Sequence, residues 1–126
     1  MAGKFIITAT GSGKFAFNLK ASNGEVILTS SDLYDSYAAA EAGVEAVKAI
    51  ALAPVEDQTR EEKLEGAKFE LYQDKGGQFR FRLVDAAGDN LGKSEAYKAK
   101  TSARKGIASV GRNAPDAPVK AEEKKD

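Results

Sequence analysis

The chain has 126 residues, 19 basic and 19 acidic side chains, and no histidine, cysteine or tryptophan. Those absences exclude zinc sites built on imidazole or thiolate, Cys–His and Ser–His–Asp nucleophiles, and disulfides, leaving carboxylate, lysine, tyrosine and hydroxyl groups for any chemistry. The balanced charge gives no net attraction for nucleic acid or anionic membrane, although residues 1–63 carry a net −3 and residues 64–126 a net +3.

From the N-terminus, Phe5 and Ile7 alternate at the period of a strand with one buried face. Gly11-Ser12-Gly13-Lys14 then raises the question of a phosphate-binding loop. The Walker pattern needs Gly, four residues, then Gly-Lys-Ser/Thr, and a helix must follow. Here Thr8 stands where the first glycine belongs, Phe15 stands where the hydroxyl belongs, and a strand follows. The run reads as a tight hairpin, in which glycine takes a left-handed backbone at little cost. Phe15, Phe17 and Leu19 share one face of the second strand, Asn23-Gly24 is a strong hairpin signal, and Glu25 to Ser30 make a third strand. The period then changes. Ala40, Gly43, Val44 and Val47 fall at helical spacing, Ser36 is placed to cap the helix, and Gly43 implies a helix pressed close to the sheet. A short Ala53-Pro54-Val55 segment capable of forming a strand closes the unit.

The same unit then repeats. Lys4, Phe5, Gly13, Phe15, Phe17, Leu19, Gly24 and Ser30 recur 64 residues later as Lys68, Phe69, Gly77, Phe79, Phe81, Leu83, Gly88 and Ser94. Tyr34, Ala40, Gly43 and Val47 recur as Tyr97, Ala103, Gly106 and Val110, and the closing Ala-Pro-Val recurs at 117–119. In the second copy Lys75-Gly76-Gly77-Gln78 keeps the glycine and drops the lysine, which again favours hairpin geometry over phosphate chemistry. Ala99 stands where Ser36 caps the first helix, so the second helix is expected to start more loosely. The organisation is a first repeat over 1–56, a charged linker over 57–65, a second repeat over 66–120 and a disordered tail over 121–126.

The run GKFAFNLKASNGEVI, the following Ser and Tyr, the helix pattern A..GV..V and the second-copy run GIASVGRNAPDA together resemble the YegP-like family. These are small tandem-repeat proteins of unknown function, and the resemblance covers roughly residues 3–56 and 66–120. It departs at AYKAKTSA, where the family has a serine-rich helix start. The resemblance implies an α+β fold. Two β-β-β-α-β units form one antiparallel sheet with two helices on one face, and the C-terminal strands of the units are exchanged. It implies no catalytic residue.

With the helices on one side, the second phase of the strands forms an open face. The candidate interaction residues there are Ile6, Ala16, Asn18, Val26 and Leu28 in the first copy and Tyr72, Arg80 and Arg82 in the second. A mixed apolar and charged face of this kind suggests contact with another protein or self-association. The alternative is weak nucleic-acid or anion binding through Arg80, Arg82, Lys93 and the cations of the second helix. Phe15, Phe17, Phe79 and Phe81 would stack on bases only if they faced solvent, and their phase with Leu19 and Leu83 puts them in the core. Paired carboxylates such as Asp32/Asp35 and Asp85/Asp89 lie in turns, where they serve backbone geometry. The expectation is a cytoplasmic, non-enzymatic binding module with no cofactor, no metal and no membrane span.

Overall fold

The computed structural model describes residues 3–60 and 63–121. Three strands, β1 (Lys4–Ala9), β2 (Phe15–Lys20) and β3 (Val26–Ser30), precede helix α1 (Tyr37–Ile50) and the short strand β4 (Val55–Asp57). The second copy repeats this as β5 (Lys68–Gln73), β6 (Phe79–Val84), β7 (Asn90–Lys93), α2 (Lys100–Asn113) and β8 (Val119–Ala121). All eight strands join one sheet in the order β4-β5-β6-β7-β3-β2-β1-β8.

The sheet is mixed, which corrects the expectation of a fully antiparallel one. β4 runs parallel to β5 and β8 parallel to β1, while every other pairing is antiparallel. A hairpin turn reverses the chain, so hairpin-linked strands are antiparallel. Parallel neighbours need a longer connection than a hairpin, and β4 ends at Asp57 while β5 begins at Lys68. The two halves meet at β3 and β7, where Thr29 pairs with Lys93, its own counterpart 64 residues on. This pair marks a local two-fold axis.

The turn after β1 is a hairpin in both copies. Gly13 and Gly77 take φ of 81° and 82°, and each turn closes through the same bond, Thr10 N–H to Lys14 O at 2.7 Å and Asp74 N–H to Gln78 O at 2.8 Å. The Lys14 ammonium is engaged by Asp35.

Both helices cover one face of the sheet, and the core lies between. Phe5, Phe17, Phe69 and Phe81 are buried there. Phe5 meets Phe17 edge-on at 6.0 Å between ring centres, and Phe69 meets Phe81 at 5.8 Å. Tyr34 stacks on Phe17 and Tyr97 on Phe81. The mid-helix glycines are needed for this approach: a Cβ on Gly43 would fall 2.4 Å from the Tyr34 hydroxyl oxygen, and one on Gly106 would fall 2.6 Å from that of Tyr97. Ser36 caps α1 as expected, accepting the Ala39 N–H at 3.0 Å. Ala99 makes no such bond. Even so, α2 is as long as α1, and its first turn is tied down by Lys100 and Arg104, which both reach Asp57.

Part of the expected linker is ordered. Asp57 is the last residue of β4, and the turn after it is closed by Thr59, whose N–H and hydroxyl both donate to Asp57 Oδ1. Residues 61–62 and all of the expected tail beyond Ala121 lie outside the described residues; Ala121 itself belongs to β8. Among the described residues no helix is long and apolar enough to cross a membrane.

Candidate interaction face

Directly paired residues share a side of a sheet, so the strand register reads out what the uncovered face carries. One row crosses it from edge to edge: Glu56, Glu70, Arg82, Lys93, Thr29, Asn18, Ile6 and Lys120. The first four belong with the second repeat's part of the sheet and the last four with the first repeat's part. The two parts differ in kind.

The second part is an ionic lattice satisfied from within. Arg82 Nε donates to Glu70 at 2.5 Å, and its guanidinium lies 4.5 Å from the centre of the Tyr72 ring. Lys68 reaches Glu56 at 2.9 Å and Glu70 at 3.7 Å. Arg80 Nε donates to Asp74 at 2.8 Å. Glu56 is almost fully buried, and donation from Gln58, the Leu64 N–H and Lys68 holds its carboxyl at about 2. On the helix side of the same strand, burial pushes the Asp57 carboxyl up. Hydrogen bonds from Thr59, Lys100 and Arg104 outweigh that effect and hold it at about 2 as well.

The first part has no such lattice. At the positions of Glu70, Arg82, Arg80 and Tyr72 it carries Ile6, Asn18, Ala16 and Thr8. Strands β1, β2, β3 and β8 contain no acidic residue at all. What remains is a half-buried patch of Ile6, Ala16, Asn18, Val26 and Thr29, bordered by Lys4, Lys20, Lys93 and Lys120. None of these lysines has an acidic partner among the described residues.

Seven of the eight candidate residues share this face: Ile6, Ala16, Asn18, Val26, Tyr72, Arg80 and Arg82. Leu28 does not, and its placement there is corrected. Leu19 pairs with Leu28, but the next residue, Lys20, pairs with Val26, so Ile27 is an extra residue in β3. This bulge breaks the two-residue alternation. Val26 keeps the open side, and Leu28 turns under the helices, where it is fully buried. Of the cations considered for nucleic acid, Arg80, Arg82 and Arg104 are each neutralised by a carboxylate, on Asp74, Glu70 and Asp57 respectively.

A family model described as a domain of unknown function (DUF1508) matches residues 11–57 and again 74–120, one match on each structural repeat. The chain belongs to the DUF1508 family. Its resemblance to YegP-like proteins therefore holds. A UPF0339 protein of Bordetella pertussis is 38% identical over 120 residues, covering 95% of this chain and 96% of its own. The UPF0339 protein YegP of Escherichia coli O157:H7 is 37% identical over 120 residues, covering 95% and 97%. Among solved structures, the solution structure of the yegP protein from E. coli, of unknown function, superposes with a TM-score of 0.79 at 33% identity over 100% of this chain and 97% of that one. A UPF0339 protein of Shewanella oneidensis gives 0.78 at 29% identity, covering 96% and 92%.

In this DUF1508 chain the burial of Glu56 and Asp57 escaped the sequence reading, which ended the first repeat at Glu56 and read Asp57 as the start of a charged linker. The repeat offset held the missing signal for Asp57: Glu56 and Asp57 align with Lys120 and Ala121, directly after each Ala-Pro-Val. Lys4 and Lys20 were missed for a different reason. By count the first half of the chain is the acidic one, yet its first three strands, β1, β2 and β3, carry only lysines as charges.

Proposed function

We propose that this DUF1508 chain is a non-enzymatic binding module whose open sheet face, on the side of the first repeat, holds another protein or a second copy of itself. The observation that carries this reading is the patch of Ile6, Ala16, Asn18 and Val26, uncovered by either helix and bordered by lysines that have no acidic partner among the described residues. In the second repeat the equivalent surface is neutralised by its own ion pairs. A face left unsatisfied in one copy and satisfied in the other points to a use for the first.

Two further features support binding over catalysis. The buried carboxylates are held ionised by converging donors, whereas a general acid working near neutral pH needs the opposite shift. Each closing strand lies beside the other unit's first strand, which favours reading the two exchanged units as one rigid module. Second-repeat arginines paired to carboxylates are poorly disposed to grip a phosphate backbone, and no observation favours that alternative.

The test combines light scattering of the purified chain with crosslinked capture from cell extract, in parallel with an Ile6→Glu, Val26→Glu variant. The reading expects self-association or a captured protein that the variant loses. A monomer that captures nothing sinks it.

A further inference from the structure

We infer that the occupant of this face is an acidic segment of a different protein. This rests on the reading of the patch as a binding surface and narrows the choice that reading leaves open. Lys120 and Lys93 bracket the row Ile6–Asn18–Thr29, four strand spacings apart, or about 19 Å. Lys4 stands directly opposite Lys20 in the β1–β2 ladder. Like charges directly opposed across a ladder repel. The second repeat avoids this arrangement: Lys68 faces Val84 and has Glu56 at 2.9 Å and Glu70 at 3.7 Å. Among the described residues no carboxylate compensates the lysines of the first repeat's face, and an anionic occupant supplies that charge.

The surroundings decide which kind of anion. An apolar centre of Ile6, Ala16 and Val26 within a charged border matches the layout of a protein interface. No aromatic residue stands on the open side of β1, β2, β3 or β8, so the patch offers no stacking platform for bases. A second copy is also a poor match. First repeat on first repeat sets lysine against lysine, and first repeat on second meets Glu56, Glu70 and Asp74, which already hold Lys68, Arg82 and Arg80. The fitting occupant is an extended or helical segment that alternates carboxylates with apolar side chains.

The experiment titrates the isotope-labelled full chain, followed by amide NMR, with a synthetic peptide alternating glutamate and leucine. The same peptide with lysine for glutamate, an oligouridine RNA and dilution of the chain alone run beside it. The glutamate peptide is expected to shift amides of β1, β2 and β3 saturably, and to bind more weakly as salt rises. A Lys4→Glu, Lys20→Glu variant, and separately a Lys93→Ala, Lys120→Ala variant, should each weaken binding at least roughly tenfold while keeping the dispersed spectrum of the folded chain. If dilution moves these amides and the acidic peptide does not, the inference is overturned while the binding face stands; if RNA alone moves them, the inference and the protein-binding reading are both overturned. If no probe moves them, the inference is likewise overturned, and the capture experiment decides the face by itself.

Discussion

Leu28 fills the space that a side chain at Gly92 would need: a Cβ built on Gly92 falls 2.8 Å from Leu28 Cγ. The two are counterparts 64 residues apart, and they sit diagonally across the Thr29–Lys93 pair at which the halves meet. Near a two-fold axis identical residues compete for one volume, and this chain resolves the conflict by making one large and the other absent. Gly92→Ala should therefore destabilise by about 1–3 kcal/mol through overpacking, and Leu28→Ala by about 2–5 kcal/mol through the cavity it leaves. The double variant should cost clearly less than the two single costs added together. Urea unfolding of all four proteins measures the coupling; simple additivity would show that the two positions do not share space.

Acid should weaken the fold through β4. Glu56 and Asp57 are held at about 2 in the folded chain, below their ordinary carboxylate values of 4.5 and 3.8. A depressed folded pKa gives stability that is fully present above the unfolded value and is lost as pH falls through the folded one. The loss should run from about pH 4.5 down to about pH 2, on the order of 2 kcal/mol per group. Denaturant midpoints across that range should fall with acid for the native chain. They should fall less steeply for Glu56→Gln and for Asp57→Asn, each of which starts from lower stability at pH 7.

Helix capping offers a reciprocal pair of substitutions. Ser36→Ala removes the bond to the Ala39 N–H and should cost about 1 kcal/mol. Ala99 already has the extended backbone of a capping residue, with φ −129° and ψ 146°. Ala99→Ser should therefore add up to about 1 kcal/mol. Thermal unfolding followed by circular dichroism distinguishes gain from loss.

The Lys4–Lys20 opposition predicts a conflict between stability and binding. Lys20→Glu replaces a repulsive cross-strand pair with an attractive one and should raise stability by a few tenths of a kcal/mol, up to about 1. The same change should weaken capture of the acidic peptide. A variant that unfolds at lower denaturant than the native chain would contradict the cross-strand argument.

Much of this architecture was legible in the linear order of residues. The duplication, the hairpin glycines, the Phe15–Leu19 strand, the Gly43 and Gly106 approaches and the Ser36 cap depend on local periodicity and backbone preference, which neighbouring residues determine among themselves. The parallel setting of β4 and β8 was not legible, because strand direction depends on where the chain re-enters the sheet. Nor was the burial of Leu28. Strand alternation carries a face assignment only as far as the next bulge, and the extra residue at Ile27 is defined by the pairing partner, not by β3 alone.

The open face divides along the same line. The residue types on Ile6, Ala16, Asn18, Val26, Tyr72, Arg80 and Arg82 and their shared phase follow from the sequence by itself. Which of the charges are already satisfied is a tertiary matter. Glu56 and Lys68 are twelve residues apart, and Asp57 and Arg104 forty-seven. Chain folding alone brings those partners together and, among the described residues, leaves Lys4, Lys20, Lys93 and Lys120 without an acidic one. Net charge counts residues, whereas a surface is defined by what each charge meets, so the acidic half of the chain supplies Lys4 and Lys20, which have no acidic partner among the described residues.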